Sequence, residues 1–236
     1  NAENQASFYT QNTLINTNII HCAHLLGIPR VLSSLSTCAF PDVVESYPFT
    51  EEQIFDGPPA KTNFSYGYTK RSLHVQTLSY RKQYGLNYST FCPSNIYGPE
   101  DHFDTDKSHF VPALISKITN AENGGEIELW GTGNPKRQQL YVDDLANIIP
   151  TLLEKHNSGI PLIIAPSENF SIREMAEIAN NKIEKNIKIS YNGNLDGQYR
   201  KDGSNKRFLE LVGDYEFTSF EVGIEKTIQW YLENRK

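Results

Sequence analysis

The chain is poor in cysteine, with Cys22, Cys38 and Cys92 as the complete set in 236 residues. Their number is odd and no two of them are in CxxC spacing, which argues against a disulfide framework and against a zinc site. Such sparse cysteine use is typical of proteins in a reducing cytosol. We therefore expect a cytoplasmic protein without a bound metal.

Long apolar runs and an excess of positive charge are also lacking. No stretch approaches the roughly 18 consecutive apolar residues of a membrane-spanning helix. The formal net charge is −6 at pH 7, so the chain offers no broad electrostatic attraction to nucleic acid or to an anionic membrane. We expect neither as a partner, and an anionic ligand would have to be bound by a few local basic side chains.

The apolar spacing predicts alternating helices and strands. A helix over residues 5–27 precedes a short buried strand at 30–34, and a loop over 36–63 precedes a helix at 66–84 and a strand at 88–93. Strand, helix and strand in this order predict right-handed crossovers and a parallel sheet. Farther on, the spacing predicts a helix over 108–121, a capping box at Ser171–Glu174, and a last helix that buries Phe220, Ile224, Ile228, Tyr231 and Leu232.

Tyr66 and Lys70 stand four residues apart in YGYTK, at the start of a predicted helix and on one face of it. A tyrosine titrates near pH 10, about three units too high for acid–base work at neutral pH. An ammonium one turn away favours the phenolate, so we expect Lys70 to lower the pKa of Tyr66. Alone, this spacing is more often an exposed amphipathic pair. It becomes specific because a predicted strand that leads to Ser36 precedes it, and ligands of open α/β sheets bind beyond the carboxyl ends of the strands.

Ser36, Tyr66 and Lys70 resemble the triad of the extended short-chain dehydrogenase/reductases. RQQLYVDDLA (residues 137–146) is similar to a signature of their nucleotide-sugar branch, and PSNIYGP (93–99) resembles its cofactor loop. Together with STC, SHFVPAL and WGTGNPKRQ, these motifs resemble the GDP-L-fucose synthase family over nearly the whole chain. The resemblance implies an α/β fold with a Rossmann-like parallel sheet in residues 1–105 and a smaller, mixed α/β substrate lobe in 106–236, from which some segments return to the first domain.

The same resemblance implies NADPH-dependent 3,5-epimerisation and 4-reduction of GDP-4-keto-6-deoxy-D-mannose to GDP-L-fucose. It also implies a homodimer, formed by the first helix and the Tyr66 helix of each subunit. Two alternatives remain: another epimerase or dehydratase of nucleotide sugars, and a truncated, non-catalytic sugar-nucleotide-binding protein. Dehydratases need an acidic residue beside the catalytic serine or threonine, where this chain has Cys38. A binding module would need no complete catalytic set.

Epimerisation beside a ketone needs one group to remove a proton and another to deliver one to the opposite face. A thiol with a pKa near 8.5 and an imidazole with a pKa near 6.5 suit these roles, being within roughly two units of neutral pH. By resemblance they fall to Cys38 and His109, with His102 as the competitor in the same region. Free cysteines are more often buried packing residues, which is our interpretation of Cys22 and Cys92.

By resemblance, Ser36 hydrogen-bonds the C4 oxygen of the sugar, Tyr66 passes a proton to it, and Lys70 holds the nicotinamide ribose. The residues implied to contact NADP(H) are Ser34, Leu35, Ser36, Thr37, Tyr66, Lys70, Pro93, Ser94, Asn95, Ile96 and His109. Those implied to bind the GDP-sugar are Lys117, Trp130, Arg137 and Asp196. The plainer alternatives are a core position for Trp130, a surface charge for Arg137 and a turn-forming role for Asp196.

One segment typical of the family is lacking. Its members begin with a strand, a Gly-x-x-Gly-x-x-Gly turn and a helix, whose backbone amides bind the pyrophosphate of the cofactor. No such glycine cluster occurs in these 236 residues. We expect that a preceding or partner segment supplies it, that the chain is truncated, or that catalysis has been lost. In each case these residues alone should bind NADPH weakly.

Overall fold

The computed structural model describes residues 4–104, 107–194 and 196–235. The chain divides into two compact units, each built from three separate stretches. Unit 1 contains Asn1–Ser94, Ala146–Ala165 and Lys201–Tyr215. Unit 2 contains Asn95–Leu145, Pro166–Arg200 and Glu216–Lys236.

Helices and strands alternate along most of the described chain. The helices are α1 (Gln5–Leu25), α2 (Phe64–Tyr84), α3 (Phe110–Asn120), α4 (Val142–Lys155), α5 (Ile172–Ile183), α6 (Lys206–Val212) and α7 (Phe220–Asn234). The strands are β1 (Arg30–Ser34), β2 (Asn87–Pro93), β3 (Asn95–Tyr97), β4 (Glu126–Leu129), β5 (Lys136–Arg137), β6 (Gln139–Tyr141), β7 (Leu162–Ile164), β8 (Phe170–Ser171) and β9 (Lys188–Tyr191). Short 3-10 turns lie at Thr37–Ala39, Glu51–Phe55 and Lys61–Asn63.

Unit 1 is built on the parallel sheet that the sequence predicts. Its strand order is β1-β2-β7, and both neighbours run parallel to β2. Ser34 pairs with Phe91, so the carboxyl ends of β1 and β2 lie side by side. The backbone N–H of Leu35 extends this ladder by donating to the Phe91 carbonyl over 2.7 Å. The α/β fold class is therefore confirmed, and the two segments expected to bind the cofactor begin at adjacent strand ends.

The helices of unit 1 cover this sheet unequally. Helix α2 begins two residues before its predicted start and ends at Gly85, whose left-handed φ of 66° suits a glycine cap. Cys92 is fully buried in β2, as predicted. In α1, by contrast, only Ile20 is buried. The prediction that Cys22 is a packing residue is wrong, because its thiol is exposed.

Unit 2 joins short strand pairs to three helices. β3 pairs with β6 and β4 with β9, both parallel, and β5 pairs with β8 antiparallel. Apolar side chains of α3, α5 and α7 form its core. The predicted capping box of α5 is confirmed: the Ser171 hydroxyl accepts from the Glu174 N–H at 3.1 Å, and Glu174 accepts from the Ser171 N–H at 2.7 Å.

The last helix buries most of the residues that the sequence assigns to its inner face. Phe220, Ile224 and Ile228 are at most 4% exposed, and Tyr231 is half-buried. Leu232 is 45% exposed, so its predicted burial is wrong. In the three described ranges, no helix combines the length and the apolarity that crossing a membrane requires.

Candidate active site

The Ser36–Cys38 turn follows β1 directly. Ser36 is the N-cap of the 3-10 turn Thr37–Ala39, and its hydroxyl accepts the Cys38 N–H at 3.2 Å. Ser36 and Cys38 are half-buried, whereas Thr37 between them is buried. The turn therefore gives each of the two predicted reacting side chains a fixed backbone at the carboxyl edge of the sheet.

Two residues of α2 hold this turn in place, and the sequence analysis missed both. A Cβ on Gly67 would overlap the Cys38 carbonyl oxygen and would approach the Pro59 Cβ to 2.7 Å. Arg71, one helical turn later and buried, donates from its guanidinium to the Ala39 carbonyl. Gly67 and Arg71 thus form an i, i+4 pair next to the pair Tyr66 and Lys70. The first pair positions the turn, and the second carries the predicted chemistry.

Tyr66 and Lys70 lie where the sequence predicts, in the first turns of α2. The Lys70 ammonium is 5.7 Å from the centroid of the Tyr66 ring and donates to the Ser34 carbonyl at 3.0 Å. Burial, followed by the neighbouring Cys38, raises the pKa of Tyr66, and a hydrogen bond with the Ser36 side chain opposes this. The expected lowering of the Tyr66 pKa by Lys70 is therefore wrong, because the sequence contains no measure of burial. Burial also lowers the pKa of Lys70.

The predicted cofactor residues of unit 1 lie at two neighbouring strand ends. Ser34 is exposed, while Leu35, Pro93 and Ser94 are buried. The Ser94 N–H donates to the Ile164 carbonyl at 2.9 Å. Its buried hydroxyl has no hydrogen-bond partner among the residues that the structure describes. This edge of the sheet therefore presents a polar side chain that is available to a ligand.

The remaining cofactor candidates belong to unit 2. Asn95 and Ile96 lie in β3, where the Asn95 amide donates to the Gln138 carbonyl at 3.3 Å and Ile96 is 38% exposed. His109 is the exposed N-cap residue of α3, which begins at Phe110 rather than at the predicted Ser108. His102 is also exposed and lies 4.0 Å from the Asp104 carboxylate. The preference for His109 over His102 stays a prediction.

The four predicted substrate residues all belong to unit 2. Trp130 follows β4 and is 75% exposed, which excludes a core position. The Lys117 ammonium, on α3, donates to the Glu128 carbonyl at 3.3 Å. Arg137, on β5, donates to the Lys136 carbonyl at 2.7 Å. An exposed indole and two cations bonded to neutral carbonyls are suitable groups for a flat base and a diphosphate.

Asp196, which is expected to bind the GDP-sugar, also stabilises a turn of the chain. Its two carboxylate oxygens accept from the Thr132 N–H at 2.8 Å and from the Thr132 hydroxyl at 2.6 Å. The hydroxyl bond is the largest cause of a lowered Asp196 pKa, and the Arg137 charge contributes in the same direction. The carboxylate therefore holds the turn after Trp130, in line with the turn-forming alternative, and its lone pairs leave room for a ligand.

Lys201 is a further residue that the sequence analysis missed. Its ammonium nitrogen lies 3.4 Å from the Cys38 sulfur, although 163 positions separate the two residues. No local sequence motif predicts this contact, because it forms only when the third stretch of unit 1 packs against the first stretch. A cation therefore touches the thiol that is predicted to move a proton.

Residues 1–165 match the NAD dependent epimerase/dehydratase family. The chain is 35% identical over 251 residues to a probable GDP-L-fucose synthase of Drosophila melanogaster, covering 99% of this chain and 76% of that protein. It is 34% identical over 238 residues to a GDP-L-fucose synthase of Dictyostelium discoideum, covering 99% and 74% respectively. The crystal structure of a GDP-L-fucose synthetase from Naegleria fowleri bound to NADP superposes with a TM-score of 0.91 at 34% identity, covering 98% of this chain and 74% of that one. The resemblance drawn from the sequence motifs is confirmed.

Proposed function

Because the chain belongs to the NAD dependent epimerase/dehydratase family, and within it to the GDP-L-fucose synthases, we propose that it converts GDP-4-keto-6-deoxy-D-mannose to GDP-L-fucose. The reaction comprises epimerisation at C3 and C5 and an NADPH-dependent reduction at C4. The observation that carries this proposal is the grouping of Ser36, Cys38, Tyr66 and Lys70 at the carboxyl edge of one parallel sheet. A sugar-nucleotide-binding protein without catalysis would need no such grouping.

Epimerisation is assigned to Cys38 and His109. The 4-keto group acidifies the hydrogens on C3 and C5, so a thiolate or a neutral imidazole can remove one and the partner group can return a proton to the opposite face. The half-buried Cys38 has a backbone fixed by Ser36 and Arg71. A fixed base suits this step because proton transfer requires hydrogen-bond distance to the reacting carbon.

Reduction is assigned to Tyr66, with Ser36 beside it. The raised pKa of Tyr66 keeps its phenol protonated at neutral pH, and a protonated phenol is the form that can donate to the developing C4 alkoxide. The Ser36 hydroxyl, which already interacts with Tyr66, is placed to hydrogen-bond the same oxygen. NADPH supplies the hydride for C4 when it is bound.

The residues present fit an NADP(H) cofactor at the edge of the sheet in unit 1. Ser94 contributes a buried hydroxyl with no hydrogen-bond partner in the described part of the chain. Lys70 contributes an ammonium that is bonded to a neutral carbonyl at 3.0 Å. We propose that Ser94 and Lys70 hold hydroxyl or amide groups of the nicotinamide nucleoside, with the backbone of Ser34–Thr37 beside them. Pro93, Asn95, Ile96 and His109 complete the proposed set.

The reaction is tested by running it in heavy water. Protein that also carries the glycine-rich cofactor segment typical of the family is incubated with GDP-4-keto-6-deoxy-D-mannose and NADPH. The nucleotide is followed by absorbance, and the recovered sugar is analysed by mass spectrometry and NMR. We expect deuterium at both C3 and C5, with one NADPH oxidised per GDP-L-fucose formed. Reduction without incorporation would indicate a plain 4-reductase, and incorporation without NADPH oxidation would indicate an epimerase. Neither would be compatible with the proposal.

We also propose that the protein is a homodimer through α1 and α2. The sequence of α1, QASFYTQNTLINTNIIHCAHL, contains no Asp, Glu, Lys or Arg, yet Leu14, Ile15 and Ile19 are each more than half exposed. A helix face of this kind is typical of a protein interface. Sedimentation should show a dimer at micromolar concentration, and the double variant Ile15→Asp, Ile19→Asp should be monomeric. Val43→Asp, at a loop residue that is 82% exposed, is the control. A wild type that is monomeric under these conditions would refute the proposal.

A cytoplasmic location is proposed on the chemistry of the cysteines. Cys22, Cys38 and Cys92 are all free thiols. The proposed epimerisation requires Cys38 in its reduced form, and the cytosol maintains that form. Fractionation of the source cells with an antibody to the protein would test the location, and recovery in an oxidising compartment would contradict it.

A further inference from the structure

Lys201 and Cys38 come together because the backbone of each is fixed. Next to Lys201, the Asp202 carbonyl accepts from the Phe49 N–H at 2.9 Å, and the Ser204 N–H donates to the Phe49 carbonyl at 2.8 Å. These two bonds flank an isolated bridge between Phe49 and Gly203. On the other side, Ser36 and Arg71 hold the Cys38 turn. The backbone beside each residue is therefore held by hydrogen bonds, and the Lys201 ammonium approaches the Cys38 sulfur to 3.4 Å.

We propose that Lys201 is a positioning residue for epimerisation, which hydrogen-bonds the Cys38 sulfur and stabilises its thiolate. This proposal rests on the proposed function. Before Cys38 can take a proton from the sugar, its thiol must lose its own proton to solvent, and the Lys201 ammonium balances the negative charge that forms. If Cys38 instead delivers its proton to the sugar carbon, the thiolate that remains is stabilised by the same contact. Lys201 keeps its protons in both directions, and the sulfur exchanges one proton with the sugar carbon and one with solvent.

Among the residues that the structure describes, Lys201 is the cation that hydrogen-bonds to the Cys38 sulfur. Tyr66 of α2 and Cys92 of β2 face it, and burial raises the pKa of both, so both are neutral at neutral pH. Glu51 and Lys70 act on Cys92 from two further elements. Lys201 acts on Cys92 as well, but Cys38 is the sulfur to which it hydrogen-bonds. Its ammonium is thus the cation placed to select the thiolate of Cys38.

Alkylation of the thiol tests the proposal without any substrate. Iodoacetamide reacts with the thiolate, so the rate of Cys38 labelling is measured between pH 6 and 10 by peptide mass spectrometry. Cys22 in the same molecule is the internal control, because it lies on α1 rather than on the Cys38 turn and its labelling rate, whether or not a dimer covers it, should be the same in the wild type and in Lys201→Met. Labelling of the buried Cys92 reports unfolding. For Lys201→Met we expect Cys38 to react about tenfold to a hundredfold more slowly at pH 7, as for the loss of one hydrogen bond to a charged group, with Cys22 unchanged.

Two further variants separate charge from packing. Lys201→Arg keeps a cation and should restore most of the Cys38 reactivity. Lys206→Met removes an exposed lysine that lies 3.9 Å from Glu210 in the same unit, and it should change nothing. Equal Cys38 labelling in the wild type and in Lys201→Met at every pH would overturn the proposal, as would a failure of Lys201→Arg to restore reactivity in a folded protein.

If Lys201→Met does not fold, the wild type alone still tests the proposal. The rate of Cys38 labelling by iodoacetamide at pH 7 is measured in the native protein and in the protein unfolded by urea, where the contact with Lys201 is lost. Stabilisation of the thiolate by Lys201 predicts faster labelling of Cys38 in the native protein, although the residue is half-buried there. Equal or slower labelling in the native protein would overturn the proposal.

The exchange assay then distinguishes the two proposals. In a protein whose wild type incorporates deuterium at C3 and C5, Lys201→Met should lose that exchange about as strongly as it loses thiol reactivity. Slow labelling with undiminished exchange would overturn the role of Lys201 in epimerisation. A wild type with no exchange would refute the proposed function, while the labelling result would still report on the contact between Lys201 and Cys38.

Discussion

The two units differ in how firmly they hold their candidate functional side chains. In unit 1, Ser36 and Cys38 lie on a turn bound to α2 by Arg71 and packed against Gly67. In unit 2, Trp130 is 75% exposed, and the cations of Lys117 and Arg137 hydrogen-bond to carbonyls of their own surroundings. In unit 1 the backbone of the reacting side chains is held by hydrogen bonds, whereas in unit 2 the charged side chains remain partly accessible to a ligand.

This difference matches the two tasks of the proposed enzyme. Proton transfer depends steeply on the geometry between donor and acceptor, so its groups need a rigid support. A diphosphate carries charge on several oxygens, and the half-buried Lys117 and Arg137 can bind it through side chains that adjust to it. His109 is the exception, since it is a candidate for proton transfer that is exposed in unit 2. The comparison therefore predicts separable effects on turnover and on binding.

The largest effect is expected for Tyr66→Phe. This variant lacks the phenolic proton, and NADPH oxidation should fall about 10²- to 10⁴-fold, the usual contribution of a general acid. Exchange at C3 and C5 should persist because Cys38 and His109 are untouched, and GDP affinity should not change. Cys38→Ser should do the reverse, since a hydroxyl is far too weak an acid to replace the thiol. If Tyr66→Phe abolished exchange as completely as reduction, the division of roles within unit 1 would be wrong.

The next effect concerns binding by unit 2. Lys117→Ala and Arg137→Ala should each weaken GDP binding about 10- to 150-fold, the equivalent of roughly 1.5–3 kcal/mol for a lost hydrogen bond to a charged group. The turnover number at saturating substrate should stay close to that of the wild type. Calorimetric titration with GDP measures the affinity, and Lys136→Ala, an exposed neighbour on β5, is the matched control. Unchanged affinity in both variants would show that the diphosphate binds elsewhere.

A glycine substitution in each unit compares their packing directly. Gly67→Ala places a methyl group against the Cys38 carbonyl and Pro59 and should lower the free energy of unfolding by about 1–3 kcal/mol, as overpacking commonly does. Gly197→Ala in unit 2 meets no atom within 4 Å and should change stability by less than about 0.5 kcal/mol. Urea unfolding measures both. Equal losses would contradict the contrast between a tightly packed and an open site.

A further expected effect is a loss of stability in acid that originates in unit 1. Burial lowers the pKa of His74 to about 4, below its unfolded value near 6.5. The unfolded chain therefore binds more protons between these values, and the free energy of unfolding falls as the pH falls through that window. For His74 alone the loss between pH 7.5 and 5 is about 2 kcal/mol. Burial lowers the pKa of His156 as well, which adds in the same direction.

Urea unfolding at the two pH values checks this expectation. His74→Gln cannot titrate and retains an amide for the Thr90 hydroxyl, which is 2.9 Å from the His74 ring, so its stability should depend less on pH. His102→Gln, at an exposed site of unit 2, should keep the wild-type dependence. If the free energy of unfolding depended on pH equally in the wild type and in both variants, His74 would not be the cause of the loss of stability in acid.

The sequence predicts best what depends on neighbours along the chain. The parallel strands, the α5 capping box at Ser171 and the shared face of Tyr66 and Lys70 all follow from local spacing, and the structure contains each of them. The raised pKa of Tyr66 does not, because burial comes from the whole of unit 1 rather than from the adjacent Lys70. The predicted burial of Cys22 and of Leu232 is wrong for a similar reason. Helical spacing shows which residues share a face of the helix, but it does not show whether another element covers that face.

The contact between Lys201 and Cys38 marks the limit of sequence reasoning. The two residues are 163 positions apart, and YRKDG around Lys201 has no unusual composition. Gly67 and Arg71 are only partly predictable. The sequence shows that they share a helix face next to Tyr66 and Lys70, but only the structure shows that both contact the Cys38 turn.

The division of unit 1 into three stretches has a consequence for the newly made chain. Cys38, Phe49 and Glu51 are synthesised with the first stretch. Their partners in the third stretch are synthesised only after most of unit 2. At about 5–20 residues per second, the 163 residues from Cys38 to Lys201 take roughly 10 to 30 s to appear. Throughout that interval the loop around Phe49 lacks its backbone pairing with residues 202–204, and Glu51 lacks its ion pair with Arg207. During translation the first stretch of unit 1 therefore waits for its partners, and Cys38 meets Lys201 before Phe49 and Glu51 can meet theirs.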